Sequence, residues 1–148
     1  MIIVIFKTAN KSKKNLDKSL GKNQSGQALV EMAIILPILL ILIFGIIEYG
    51  RGFAAYLAVT TAAREGARIA TVGGSDNDIS AAVTLRTSAM LLDSTKLTIS
   101  ISPTAGSRIR GSAVTIEVTY LVPMYDPVFT TLIGTNMSVK GKTVMRVE

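Results

Sequence analysis

The hydrophobic pattern of this chain changes twice. From Ala28 to Ile47 apolar residues run without a polar face, interrupted by one charge, Glu31. At 1.5 Å per residue such a run makes about 30 Å of helix, the thickness of a bilayer's hydrocarbon core. Pro37 lies inside it. Proline removes one backbone hydrogen bond and predicts a local bend, tolerated in membrane helices when neighbours satisfy the freed carbonyl. Beyond residue 48 the period becomes helical and amphipathic: Tyr49, Phe53, Tyr56, Thr60, Ala63, Ala67 and Ala70 recur at steps of three and four. Ala62, Gly66 and Ala70 add a ridge of small residues that permits close helix approach. Val72-Gly73-Gly74-Ser75 predicts the end of this first helix.

After residue 75 the pattern turns to a mixture. Asp76 to Asp93 predicts a second helix with Asp76, Asn77 or Asp78 as N-cap and Ile79, Ala82, Val83, Met90 and Leu91 as its apolar face. Leu97, Ile99 and Ile101 alternate with polar residues, as do Val114, Ile116, Val118 and Tyr120, the latter run stopped by Pro123. A short helix is expected from Asp126-Pro127, and Met137, Val139, Gly141, Thr143, Met145 and Val147 predict a third strand with Lys140, Lys142 and Arg146 on its wet face. Three strands bury one face, so the amphipathic half of the first helix is the expected cover. The fold class is therefore α+β: one long transmembrane and amphipathic helix, then a second helix and a three-stranded antiparallel sheet. The expected organisation is a basic leader over 1–26, a span over 27–47, its amphipathic continuation over 48–72 and a small domain over 73–148.

Charge sharpens the topology. The net +6 is concentrated in residues 1–26, where Lys7, Lys11, Lys13, Lys14, Lys18 and Lys22 face a single Asp17. Lysine-rich flanks mark the cytoplasmic side of a span, so the N-terminus is expected inside and the C-terminal domain outside. A nucleic-acid arm is the competing reading of such a run, and its position next to a span argues against it. The opening Met1 to Phe6 is apolar but far shorter than the about 20 residues that cross a bilayer. The later apolar run exceeds the 7–15 residues of a signal-peptide core and leads into Glu48-Tyr49-Gly50-Arg51, which predicts a retained anchor. Glu48 and Arg51 fit the outer membrane–water boundary, although a functional pair is an alternative. Arg64, Glu65 and Arg68 read as a charged helix face, with Glu65 and Arg68 spaced to pair. Gly45, Gly50 and Gly52 suit either bending or ordinary helix packing.

With no His and no Cys, the commonest general base, the commonest metal ligand and every thiolate chemistry are missing. No paired acid–base site or metal cage is visible, so an enzyme is the least expected class, and no cofactor is expected. The unexplained charge is Glu31. A carboxylate at the centre of a membrane helix costs about 2.5–3.5 kcal/mol, less near its end, and needs a partner.

A basic leader, Gly26, four uncharged residues, Glu31 and an apolar helix resemble the processing site of type IV prepilins and pseudopilins. More narrowly, Gly26-Gln27-Ala28-Leu29-Val30-Glu31, then Leu36-Pro37, Gly45-Ile46-Ile47-Glu48-Tyr49-Gly50-Arg51 and Ala62-Ala63-Arg64-Glu65-Gly66-Ala67-Arg68 are similar to TadE-like pseudopilins of tight-adherence (Tad) pili. Met32 departs from the pilin pattern, which often has an aromatic residue there. The resemblance implies cleavage between Gly26 and Gln27 by a membrane prepilin peptidase, and packing against other pilin subunits within an assembly machinery. It also implies a partner for Glu31: the new α-amino group of Gln27, in the same helix or in a staggered neighbouring subunit. An uncleaved bitopic anchor presenting a binding domain, and a pseudopilin of a secretion or DNA-uptake machine, remain alternatives.

Overall fold

The computed structural model describes the backbone of residues 2–148 and the side chains of residues 26–131 and 134–148. Expectations about the leader's lysine side chains lie outside the described residues. In chain order the elements are helix α1 (Ile2–Thr71), helix α2 (Asp76–Ser88), strand β1 (Leu97–Ser102), strand β2 (Ala113–Pro123), helix α3 (Pro127–Ile133) and strand β3 (Asn136–Arg146). Single 3-10 turns lie at Ser94–Lys96 and Ala105–Ser107. Two compact units result, one ending at Ile43 and the other running from Phe44 to Glu148.

In the second unit the sheet has order β1-β2-β3, all antiparallel, with Ile99 opposite Val118 and Val118 opposite Gly141. Alternation in β2 turns Val114, Ile116, Val118, Tyr120 and Val122 inward. They meet Ala55, Val59, Ala62, Ala63, Ala67 and Ala70 of α1 and Ile79 and Val83 of α2, all almost fully buried. The expected cover is therefore present, and small residues make it close. A Cβ on Gly141 would lie 2.6 Å from the Val59 carbonyl and the Thr60 nitrogen, so β3 touches the α1 backbone there. A Cβ on Gly66 would lie 2.9 Å from a Val83 methyl and 3.2 Å from one of Ile79. The small-residue ridge thus receives α2 of the same chain.

The first stripe needs correction at its lower end. Tyr49, Phe53 and Tyr56 are exposed, while Glu48, Gly52, Ala55 and Val59 are turned inward. At 3.6 residues per turn, a shift of one position rotates the buried line by about 100°. The reason is steric: a helix seated this near a sheet has no room for aromatic rings. Tyr49 and Phe53 instead stack on each other outside, with centroids 6.4 Å apart.

The ends of α1 and α2 follow from capping. Gly73, at φ 83°, closes α1 with Gly74 N–H donating to the Ile69 carbonyl and Gly73 N–H to that of Ala70. The N-cap of α2 is Ser75, not Asp76, Asn77 or Asp78: the Ser75 hydroxyl accepts from Asp78 N–H and the Asp78 carboxylate accepts from Ser75 N–H. The helix stops at Ser88, short of the expected Asp93. The turn that follows leaves Met90 and Leu91 outside and packs Leu92 against the core in their place. Thr87 also enters the core because its hydroxyl is satisfied by the Val83 carbonyl at 3.0 Å.

Candidate functional site

In the first unit, Gly26, Gln27 and Glu31 lie in α1 with every residue from 26 to 31 exposed. A Cβ on Gly26 would meet nothing within 4 Å. One helical turn brings the Gln27 side-chain amide within 3.2 Å of a Glu31 carboxylate oxygen, to which it donates. Pro37 sits inside α1. Along the same stretch Leu29, Ile34, Ile38 and Leu42 are more than half exposed. A continuous apolar surface of this kind marks a place that lipid or another protein covers.

The second unit begins with a charged clamp. Glu48 is buried, and Arg51 donates to its carboxylate at 2.8 Å. Tyr125 N–H donates to the other carboxylate oxygen at 3.1 Å, and Arg51 donates to the Pro123 carbonyl at 2.9 Å. The guanidinium also lies 4.4 Å from the centre of the Tyr125 ring. The pair therefore fastens α1 to the connection between β2 and α3. Spacing alone could suggest an i,i+3 pair, but not the two backbone partners 72 and 77 residues away.

Within the last two turns of α1, Arg68 grips Glu65 with two hydrogen bonds of 2.7 and 3.2 Å. That grip holds the Glu65 carboxyl below its ordinary range. With Arg64, Leu85, Arg86 and Met145 these residues line an open cleft of about 650 Å³ between α1 and α2. One arginine was not anticipated from the sequence: Arg108, its side chain almost fully buried, binds Asp76 and the carbonyls of Gly74 and Pro103. Two of these three partners, Gly74 and Asp76, lie 34 and 32 positions away, beyond the reach of any local pattern. Among the described residues no group of three or more acidic, His or Cys side chains is placed to hold a metal.

The Gly26–Glu31 segment, the apolar stretch, Glu48 with Arg51, and the Glu65–Arg68 pair all fall in one continuous region. Residues 26–68 match the family model described as TadE-like protein. The TadE-like segment opens at Gly26 and ends at Arg68, so it contains every candidate site residue: Gly26, Gln27, Glu31, Pro37, Glu48 and Arg51. The structure brings Gln27 to Glu31 and Glu48 to Arg51. The helix α2, the sheet and α3 lie beyond the TadE-like match. No curated protein and no solved structure matches the chain. Within the TadE-like segment α1 contains a stretch long and apolar enough to cross a membrane.

Proposed function

We propose that this chain is a membrane-anchored TadE-like pseudopilin that is cleaved after Gly26 and joins a Tad-type pilus used for surface adhesion. The supporting observation is the family match, which starts at Gly26 and runs through the exposed apolar stretch of α1. In this reading residues 1–26 are a cytoplasmic leader, 27–47 span the inner membrane, and the sheet-bearing unit faces the extracytoplasmic side. The role is structural. Its partners are the prepilin peptidase, other pilin subunits packed helix against helix, the pilus assembly machinery and the lipid bilayer, with no nucleic acid.

Cleavage creates the cation that Glu31 lacks. The freed α-amino group is a hydrogen-bond donor and a cation when protonated, the complement that a carboxylate in an apolar bundle requires. In the uncut chain the Gln27 amide already sits against Glu31 at 3.2 Å, and the freed backbone amine lies on the same residue. In an apolar helix bundle an unpaired carboxylate is strongly disfavoured, so this pairing selects the register at which a subunit enters.

Intact mass analysis of the membrane form, produced with and without a prepilin peptidase, tests the proposal. The expected mature chain starts at Gln27 or its cyclised form, and Gly26→Leu leaves the leader attached. A membrane form that retains Met1 in the presence of active peptidase overturns the pilin reading. Glu31→Gln is expected to insert and be cut normally yet fail to enter fibres.

A further inference from the structure

Helix α3 has an unusual composition for an external element. Pro127-Val128-Phe129-Thr130-Thr131-Leu132-Ile133 contains no charge. Its two hydroxyls are satisfied within the helix, Thr130 and Thr131 both donating to the Pro127 carbonyl at 3.0 and 2.8 Å. The Asp126 carboxylate accepts from the Val128 and Phe129 N–H groups, which caps the first turn. Little on this helix therefore calls for water, and its burial in an apolar medium leaves those hydroxyls paired.

Its position is equally specific. The Phe129 ring packs on Gly45, where a Cβ would come within 3.2 Å of the ring edge. Gly45 belongs to the apolar run and precedes its last residue, Ile47, by two residues. By helix rise it lies about 9 Å before Arg51 along the axis. Around this level Ile46, Ile47, Tyr49, Tyr125 and Val128 expose large apolar surfaces. Arg51, stacked on Tyr125, supplies the cationic and aromatic pairing that headgroup regions favour.

We propose that Tyr125 and α3 form a second membrane contact, seated at the boundary between headgroups and acyl chains of the outer leaflet beside the span. The inference rests on the reading of residues 27–47 as a membrane span. Lipid is the occupant because Phe129 is held against a residue that the bilayer itself surrounds, on a helix with no charge to set against a protein partner. Such a contact fixes the height and roll of the outer unit on the membrane. Extraction of α1 into a fibre then requires α3 to leave the lipid as well.

The chain has no Trp, so single-Trp variants report cleanly. Full-length Val128→Trp is reconstituted into phosphatidylcholine vesicles containing brominated acyl chains. Leu40→Trp in the span and Ile109→Trp, exposed in the loop before β2, serve as references. An interfacial helix sits about 5–10 Å into the boundary, so Val128→Trp and Leu40→Trp are each expected to lose roughly half their emission and Ile109→Trp almost none. Thr131→Trp, one turn along and also exposed, repeats the measurement should Val128→Trp disturb folding. Quenching at Leu40→Trp with none at Val128→Trp or Thr131→Trp overturns the inference and leaves the span standing. No quenching at Leu40→Trp overturns both. Protection of Val128→Trp that arises only on adding other pilin subunits replaces lipid with a subunit contact and also overturns it.

Discussion

Replacing Gly141 by Ala tests the seat of α1 on the sheet. The added Cβ would lie 2.6 Å from three backbone atoms of Val59 and Thr60, whereas ordinary contact begins near 3.4 Å. The deficit is about 0.8 Å, and the obstacle is helix backbone held by its own hydrogen bonds, not a side chain that can rotate away. The helix must lift. A gap of about 0.5–1 Å forfeits a quarter to a half of each lost dispersion contact, and Val59, Ala62 and Ala63 are fully buried at this seam. Overpacking of a well-filled core costs about 1–3 kcal/mol. A strand gains about 0.5–1 kcal/mol from Ala in place of Gly, which offsets part of this. A net loss of about 1 kcal/mol follows, or roughly 5 °C in melting temperature for a unit of this size. The assay is thermal unfolding of the full chain in mild detergent, followed by the near-ultraviolet signal of buried Tyr120. Truncating Val59 to Ala in the same chain does not restore stability, since backbone makes the clash. A Gly141→Ala protein that melts with the wild type, or one rescued by Val59→Ala, would refute the described seating.

The clamp at the base is tested by Glu48→Ala, which leaves the Tyr125 N–H without its acceptor and Arg51 with the Pro123 carbonyl alone. Because Arg51 is about one third exposed, the expected loss is about 2 kcal/mol rather than the larger penalty of a fully buried pair; Arg68→Ala, at the exposed pair, should leave stability nearly unchanged. Equal effects of the two in the same melting assay would contradict this ranking. At α2, Ser75→Ala removes the cap and is expected to cost about 1 kcal/mol by denaturant titration, and an unchanged midpoint would dismiss the capping box. The Ser75 hydroxyl and N–H hold the Asp78 carboxyl below the usual 3.8. A depressed folded value means that the stabilisation is complete above the unfolded value and disappears as pH falls through the folded one. Melting temperatures should therefore fall more steeply in the wild type than in Asp78→Asn once pH drops below about 4, and parallel curves would count against that sign.

Much of this architecture is legible in the sequence because it depends on local regularity. An unbroken apolar run specifies a helix whatever surrounds it, and alternation in Leu97–Ile101 and Val114–Tyr120 specifies strands with one dry face. Gly26 and Glu31 stand out for a related reason, since a glycine and a lone carboxylate are anomalies against a featureless apolar background. Asp126-Pro127 marked the start of α3 by its own chemistry.

Local pattern failed where two faces had comparable claims. The aromatic line Tyr49, Phe53 and Tyr56 has good helical spacing, but the distance between α1 and the sheet, set by Gly141, admits alanines and excludes rings. Met90 and Leu91 continue a helical apolar pattern, yet the chain has to reverse there to feed β1. Glu48 is the most instructive residue. By sequence it is a charge at the end of an apolar run, and only the fold supplies Arg51, Tyr125 and Pro123 around it. Periodicity and composition thus determined which segments are helix, strand and continuous apolar run, because those follow from neighbours along the chain. Which side of the helix is buried, and which charges are fastened inside, was decided by contacts more than seventy residues apart.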